Sequence, residues 1–77
     1  MTTDHEQIRR WVEVRGGRPA LVKDSGVLRI DFPDGPGESL APISWEEFFD
    51  KFERSQLAFL YQEGASRFNK LVSRESA

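Results

Sequence analysis

The residue types that could perform catalysis are few and scattered along this chain. Its only histidine is His5, and imidazole is the side chain that ordinarily changes charge near neutral pH. His5 stands in the first turn of a predicted helix, where an exposed polar side chain is the usual outcome. The chain has no cysteine, which excludes thiolate nucleophiles, thiolate zinc ligands and disulfides. We therefore predict no catalytic residues of the nucleophile-and-base type.

Carboxylates offer a second route to chemistry, because paired acids serve glycoside hydrolysis and oxygen ligands suit calcium or magnesium. Four of them, Glu46, Glu47, Asp50 and Glu53, belong to the second predicted helix. They are placed on its outer side, where solvated charge is the ordinary outcome, and their spacing is not that of a calcium-binding loop. The sequence predicts no metal site, no cofactor site and no enzyme.

A glycine-containing segment, Gly16-Gly17-Arg18-Pro19, could be mistaken for a phosphate loop. Phosphate loops lead from a strand into the N-terminus of a helix, where backbone amides point at the anion. This segment leads from a helix into a strand, which is the reverse order. We interpret it as the C-terminal cap of the first helix.

The charge distribution is the only feature that points toward a class of partner. Residues 9–30 carry six basic and two acidic side chains, residues 31–53 carry seven acidic and one basic, and the whole chain has a formal net charge of −2. Such a split can present a basic face to an anionic partner, or it can reflect two ordinary surfaces of one domain. The candidate residues for an anionic partner are Arg9, Arg10, Arg15, Arg18 and Lys23. Nucleic acid is the weaker alternative, because the chain is acidic overall and lacks an RNA-binding aromatic strand motif.

Two helices must position these side chains. The first is predicted from about residue 4 to residue 15, since Ile8, Trp11 and Val12 follow i, i+3, i+4 spacing. Two capping pairs are available at its start: Asp4 with Gln7, and Thr3 with Glu6.

The second helix begins after Ser44, which with Glu47 forms a capping box. Its apolar stripe comprises Trp45, Phe48, Phe49 and Phe52.

Four strands are predicted, over residues 20–23, 27–32, 57–62 and 67–72. A turn at 24–26 joins the first two and places Gly26 where a left-handed backbone is needed. Residues 33–42 contain three prolines and two glycines, and are predicted to form the longest loop.

The order helix, strand, strand, helix, strand, strand predicts an α+β fold with two helices on one face of a single four-stranded antiparallel sheet. We expect one domain over residues 1–77, frayed at 1–3 and 73–77, monomeric, without a membrane span and cytoplasmic. The expected core comprises Trp11, Ile30, Phe32, Phe48, Phe52, Phe59 and Leu71.

Several blocks of sequence carry a resemblance that covers almost the full length. They are Thr-Asp-His-Glu-Gln-Ile-Arg-Arg-Trp at 3–11, Arg-Gly-Gly-Arg-Pro-Ala at 15–20, Leu-Arg-Ile-Asp-Phe at 28–32, Ile-Ser-Trp-Glu-Glu-Phe-Phe at 43–49 and Leu-Tyr-Gln-Glu at 60–63. Together they resemble a family of small bacterial proteins of unknown function that are often labelled 1,4-alpha-glucan branching enzymes. The resemblance implies no catalytic or binding residues. An enzyme with that label resembles a barrel glycosidase, and such a barrel needs about 250 residues. A chain of 77 residues cannot build one, so the label does not fit its length.

These observations favour a non-catalytic binding or adaptor module with an unidentified protein partner. The alternatives are an accessory protein of glucan metabolism, which the resemblance alone suggests, and a weak nucleic-acid binder that uses the basic first-helix segment.

Overall fold

The computed structural model describes residues 1–33 and 39–76. These residues form two α-helices, five strands and a final turn of 3-10 helix. The elements are α1 (His5–Val14), β1 (Arg18–Val22), β2 (Leu28–Asp31), β3 (Leu40–Pro42), α2 (Trp45–Arg54), β4 (Leu57–Tyr61), β5 (Asn69–Ser73) and the 3-10 turn Arg74–Ser76.

Helix α1 begins and ends close to the predicted residues. The Asp4 carboxylate accepts a hydrogen bond from the Gln7 backbone N–H at 3.1 Å, so this is the capping pair in use. Gly16 follows the helix with a φ of 74°, the left-handed conformation that glycine adopts without strain. Gly17 is needed for a different reason, because a Cβ atom there would lie 2.8 Å from Cε1 of Phe32.

Helix α2 also follows its local signals. The Ser44 hydroxyl accepts a hydrogen bond from the Glu47 backbone N–H at 3.0 Å, which confirms the predicted N-cap. Phe48 and Phe52 are fully buried, and Trp45 and Phe49 are half-buried against the same core.

The α+β class with two helices is confirmed, but the single four-stranded sheet is wrong. The five described strands form two separate antiparallel sheets, one with the order β2-β1-β3 and one pairing β4 with β5. One core cluster joins the sheets to both helices, with contributions from Ile8 of α1, Phe48 of α2, Ile30 of β2 and Phe59 of β4. The face of each sheet that contributes to this cluster is called here the core face, and the opposite one the outer face.

The extra strand, β3, lies within the segment predicted to be a loop. It pairs with β1, with Leu40 opposite Val22 and Pro42 opposite Ala20. The prolines suggested a loop, but β3 is an edge strand, and a proline at its end removes no essential ladder hydrogen bond. Residues 34–38 of the predicted loop lie outside the described residues.

The predicted β1–β2 hairpin is confirmed. Val22 donates its N–H to the Val27 carbonyl at 2.9 Å, and Gly26 has a φ of 70°.

Five of the seven expected core residues are buried: Trp11, Ile30, Phe48, Phe52 and Phe59. Phe32 and Leu71 are only partly buried, although both pack against the core cluster. Phe32 lies just past the end of β2, and Leu71 lies on β5, an edge strand, so each has fewer neighbours to cover it.

Both terminal segments that we expected to fray make backbone hydrogen bonds. Thr2 and Phe59 exchange two of them, at 2.9 and 2.8 Å, and so cover the edge of β4 that faces away from β5. Arg74 donates its N–H to the Gln56 carbonyl at 2.9 Å. Among the described helices, none has both the length and the hydropathy that crossing a membrane requires.

Replacing Ser44 by alanine should lower the free energy of unfolding by about 1 kcal/mol, because the Glu47 N–H loses its acceptor. Chemical denaturation of Ser44→Ala beside Ser44→Asp measures this, since aspartate preserves the cap. Equal stability of the alanine and aspartate variants would contradict the assignment.

Candidate interaction surfaces

The five basic residues predicted to bind an anionic partner differ in their contacts within the protein. Arg9 and Arg10 are exposed on α1, and each forms an i, i+4 ion pair on that helix: Arg9 with Glu13 at 3.2 Å, and Arg10 with Glu6 at 3.5 Å. Their charge is therefore balanced locally by carboxylates of the same helix.

Arg15 instead has an internal role. Its guanidinium lies 4.1 Å from the centre of the Trp11 ring and donates to the carbonyls of Ser66 at 2.8 Å, Gly64 at 2.6 Å and Trp11 at 3.0 Å. These hydrogen bonds attach the β4–β5 turn to the end of α1. Arg15 is half-buried, and its donors are largely used within the protein.

Arg18 and Lys23 are exposed but belong to opposite ends of β1. Arg18 is the first residue of the strand and Lys23 directly follows the last, so at the usual rise of a strand they are roughly 17 Å apart. Binding of an anion by the predicted set stays a prediction. The geometry divides that set into an ion-paired couple, a structural arginine and two separated cations.

A second cluster was not predicted. The His5 ring stacks on Phe49 with 4.1 Å between ring centres, and its Nε2 donates to the Glu53 carboxylate at 2.6 Å. The other oxygen of Glu53 accepts from the Arg74 guanidinium at 2.9 Å, and Arg74 also donates to the Leu57 carbonyl at 2.7 Å. The cluster thus joins the start of α1, the end of α2 and the last 3-10 turn.

The surroundings of Glu53 lower the pKa of its carboxyl group. The hydrogen bond from His5 is the largest cause, and the hydrogen bond from Arg74 is the second. All three polar groups are substantially solvent-exposed and fix chain segments to one another. Sequence reasoning placed His5 on the surface correctly, but it could not find a partner that lies 48 residues away.

A third surface lies where the two sheets meet. Strands β2 and β5 are edge strands, and they line the two walls of a groove of about 200 Å³. We call it the split-sheet groove. Its lining residues are Val27, Leu28, Arg29, Asn69, Lys70 and Leu71.

Strand alternation places Leu28, Asn69 and Leu71 on the core face of the split-sheet groove, and Val27, Arg29 and Lys70 on its outer face. Leu28 is buried and Leu71 is half-buried, and both pack with the core cluster, so they form an apolar floor. Arg29 and Lys70 are exposed and, by strand alternation, lie on the outer face. Two cations therefore border an apolar floor.

Neither Arg29 nor Lys70 was selected from the sequence as a candidate. The alternation of Leu28, Arg29 and Ile30 does place Arg29 opposite the core face, so half of this pair was accessible to sequence reasoning. The position of Lys70 near Arg29 could not be predicted from the sequence, because it depends on how β5 lies beside β2.

Comparison with known protein families, with curated proteins and with solved structures found no match. Within the described residues there is also no group of three or more His, Cys, Asp or Glu side chains arranged to hold a metal ion.

Replacing Arg15 by glutamine should lower the free energy of unfolding by about 2 kcal/mol, because charge-assisted hydrogen bonds to three carbonyls are lost. Arg9→Gln is the control and should change stability by less than about 0.5 kcal/mol, since an exposed ion pair contributes little. Urea denaturation of both variants checks the difference. Equal effects would contradict the structural role of Arg15.

Replacing His5 by alanine should raise the pKa of Glu53 toward its ordinary value, because the largest cause of its lowering is removed. Carboxyl-carbon NMR titration measures this, and Arg74→Gln should raise the pKa by a smaller amount.

The lowered pKa also sets a sign for stability against pH. The contribution of Glu53 is fully present above its unfolded-state pKa and is lost as pH falls through the lower folded-state pKa. His5→Ala should therefore flatten part of the acid-side decline in stability. An unchanged Glu53 titration in this variant would contradict the assigned cause.

Proposed function

We propose that this protein is a non-catalytic binding or adaptor module of the bacterial cytoplasm, acting as a monomer, and that it captures an acidic partner protein through the split-sheet groove. The observation that carries the proposal is that Arg29 and Lys70 line the same groove, beside the apolar floor formed by Leu28 and Leu71. Such a groove suits a partner that offers both carboxylates and apolar side chains.

The acidic composition of the chain does not oppose this choice. Carboxylates of α2 lie on the helical side of the fold, whereas Arg29 and Lys70 lie on the outer face of the sheets. A surface can attract an anionic partner locally although the net charge is −2, because at physiological salt charges act over about 8 Å.

A protein segment fits the split-sheet groove better than a nucleic acid does. Single-stranded nucleic acids are usually held by aromatic side chains on which bases stack. The lining of the groove contains aliphatic side chains and one amide beside the two cations. The basic residues of α1 remain the place where the nucleic-acid alternative would act.

The test is an NMR titration of the ¹⁵N-labelled protein with an alternating valine–glutamate decapeptide. We expect saturating shifts at the groove residues that weaken as salt is raised. Arg29→Gln with Lys70→Gln should weaken binding roughly tenfold, as expected when two charge pairs are lost. Arg9→Gln with Arg10→Gln is the matched control, because it removes the same charge from α1 and should leave the affinity unchanged.

Three further ligands separate this proposal from its alternatives. An alternating valine–lysine decapeptide should not bind. Saturating shifts on α1 with an oligothymidylate, abolished in the Arg9 and Arg10 variant, would overturn the proposal in favour of nucleic-acid binding. Localised saturating shifts with maltoheptaose, without any response to the acidic peptide, would overturn it in favour of a glucan-related role.

A further inference from the structure

The backbone of β2 turns alternate residues toward the groove. The Val27 carbonyl points at β1, because it accepts the Val22 N–H. In an antiparallel ladder the N–H and C=O of one residue point to the same side, and the next residue points to the other. The backbone N–H and C=O groups of Arg29 and Asp31 are therefore also directed at β1. Those of Leu28 and Ile30 are directed away from it.

Strand β5 is arranged in the same way on the other wall. The Phe68 carbonyl points at β4, because it accepts the Gln62 N–H at 3.3 Å. By alternation Lys70 also points at β4, and Asn69 and Leu71 point their backbone groups away from it. The Thr2–Phe59 bridge agrees with this phase, since the Phe59 backbone faces the edge of β4 opposite to β5.

The groove is thus bordered by two strand edges, each of which directs alternate backbone donors and acceptors away from its own sheet. No ladder joins β2 to β5 in the part of the chain that the structure describes. We infer that the acidic partner binds here as an extended strand, which pairs with Leu28 and Ile30 on one side and with Asn69 and Leu71 on the other. This inference rests on the proposed function and specifies how the same groove recognises its ligand.

Strand alternation also specifies the sequence of that segment. Successive side chains of an extended strand point to opposite faces. Those on the outer face lie beside Arg29 and Lys70, so they are acidic. Those on the core face lie over Leu28 and Leu71, so they are apolar. The recognised motif alternates acidic and apolar residues, with main-chain hydrogen bonds supplying sequence-independent affinity.

Other edges in the two sheets are less suited to strand addition. The edge of β4 that faces away from β5 is covered by Thr2. Strand β3 has only three residues and ends in Pro42. Short strands and prolines are ordinary means of preventing edge-to-edge association. The edges of β2 and β5 are sheltered differently, since each faces the other across the groove.

Amide exchange tests strand addition directly. With the valine–glutamate decapeptide at saturation, the N–H groups of Leu28, Ile30, Asn69 and Leu71 should exchange at least about tenfold more slowly. The N–H groups of Arg29 and Lys70 are the internal reference, because by the same alternation they are directed at β1 and β4. They should already exchange slowly in the free protein, whereas the four groove amides should exchange fast until the peptide binds.

Backbone methylation of the peptide provides a second measurement. A strand placed between two others uses alternate N–H groups on opposite sides. N-methylation of either alternate set should therefore weaken binding about tenfold or more, through the loss of several hydrogen bonds. Tolerance of methylation in one set would overturn pairing with both edges.

The outcomes separate this inference from the proposed function. Charge-dependent binding at the groove without slower exchange of the four amides would overturn strand addition and leave the binding module intact. Failure of the acidic decapeptide to bind the groove at all would overturn both.

Discussion

The fold depends on the packing of Trp11 between the two halves of the chain. The centre of its ring lies 5.5 Å from the ring centre of Phe59 and 6.4 Å from that of Phe32. Its Nε1–H donates to the Gln62 carbonyl at 2.9 Å. Arg15 covers the same ring through a cation–π contact. A domain of 77 residues buries little apolar surface, so one aromatic side chain that joins α1 to both sheets contributes a large share of the core.

Because the halves are joined through side chains, their sheets need not share a ladder. Ile8, Phe48 and Phe59 fill the space beneath both sheets, so α1, α2 and β4 are joined by apolar contact. Strands β2 and β5 therefore do not pair their outward backbone groups with each other. The split-sheet groove lies where one core is shared by two sheets that have no common ladder among the described residues.

Local signals explain what the sequence could predict. Caps such as Ser44 and turn glycines such as Gly26 act over three or four residues, so their outcomes can be read without knowing the rest of the fold. The pairing of β3 with β1 and the separation of β2 from β5 depend on contacts between distant segments. Periodicity identifies a strand and its faces but not its neighbour, so Arg29 could be assigned to a face whereas its proximity to Lys70 could not.

Binding and stability are coupled if a strand occupies the groove. The outward backbone donors and acceptors of β2 and β5 need hydrogen-bond partners, which either water or a bound strand can supply. A ligand that pairs with both edges can bind only the folded arrangement of β2 and β5. It therefore stabilises the fold by RT ln(1 + [L]/Kd), which is about 2.7 kcal/mol when the ligand concentration is a hundred times Kd. For a domain of this size, whose core supplies roughly 3 to 5 kcal/mol, that increment is comparable with the whole of its own stability. The partner segment would then act as the missing central strand of a sheet that the chain leaves incomplete.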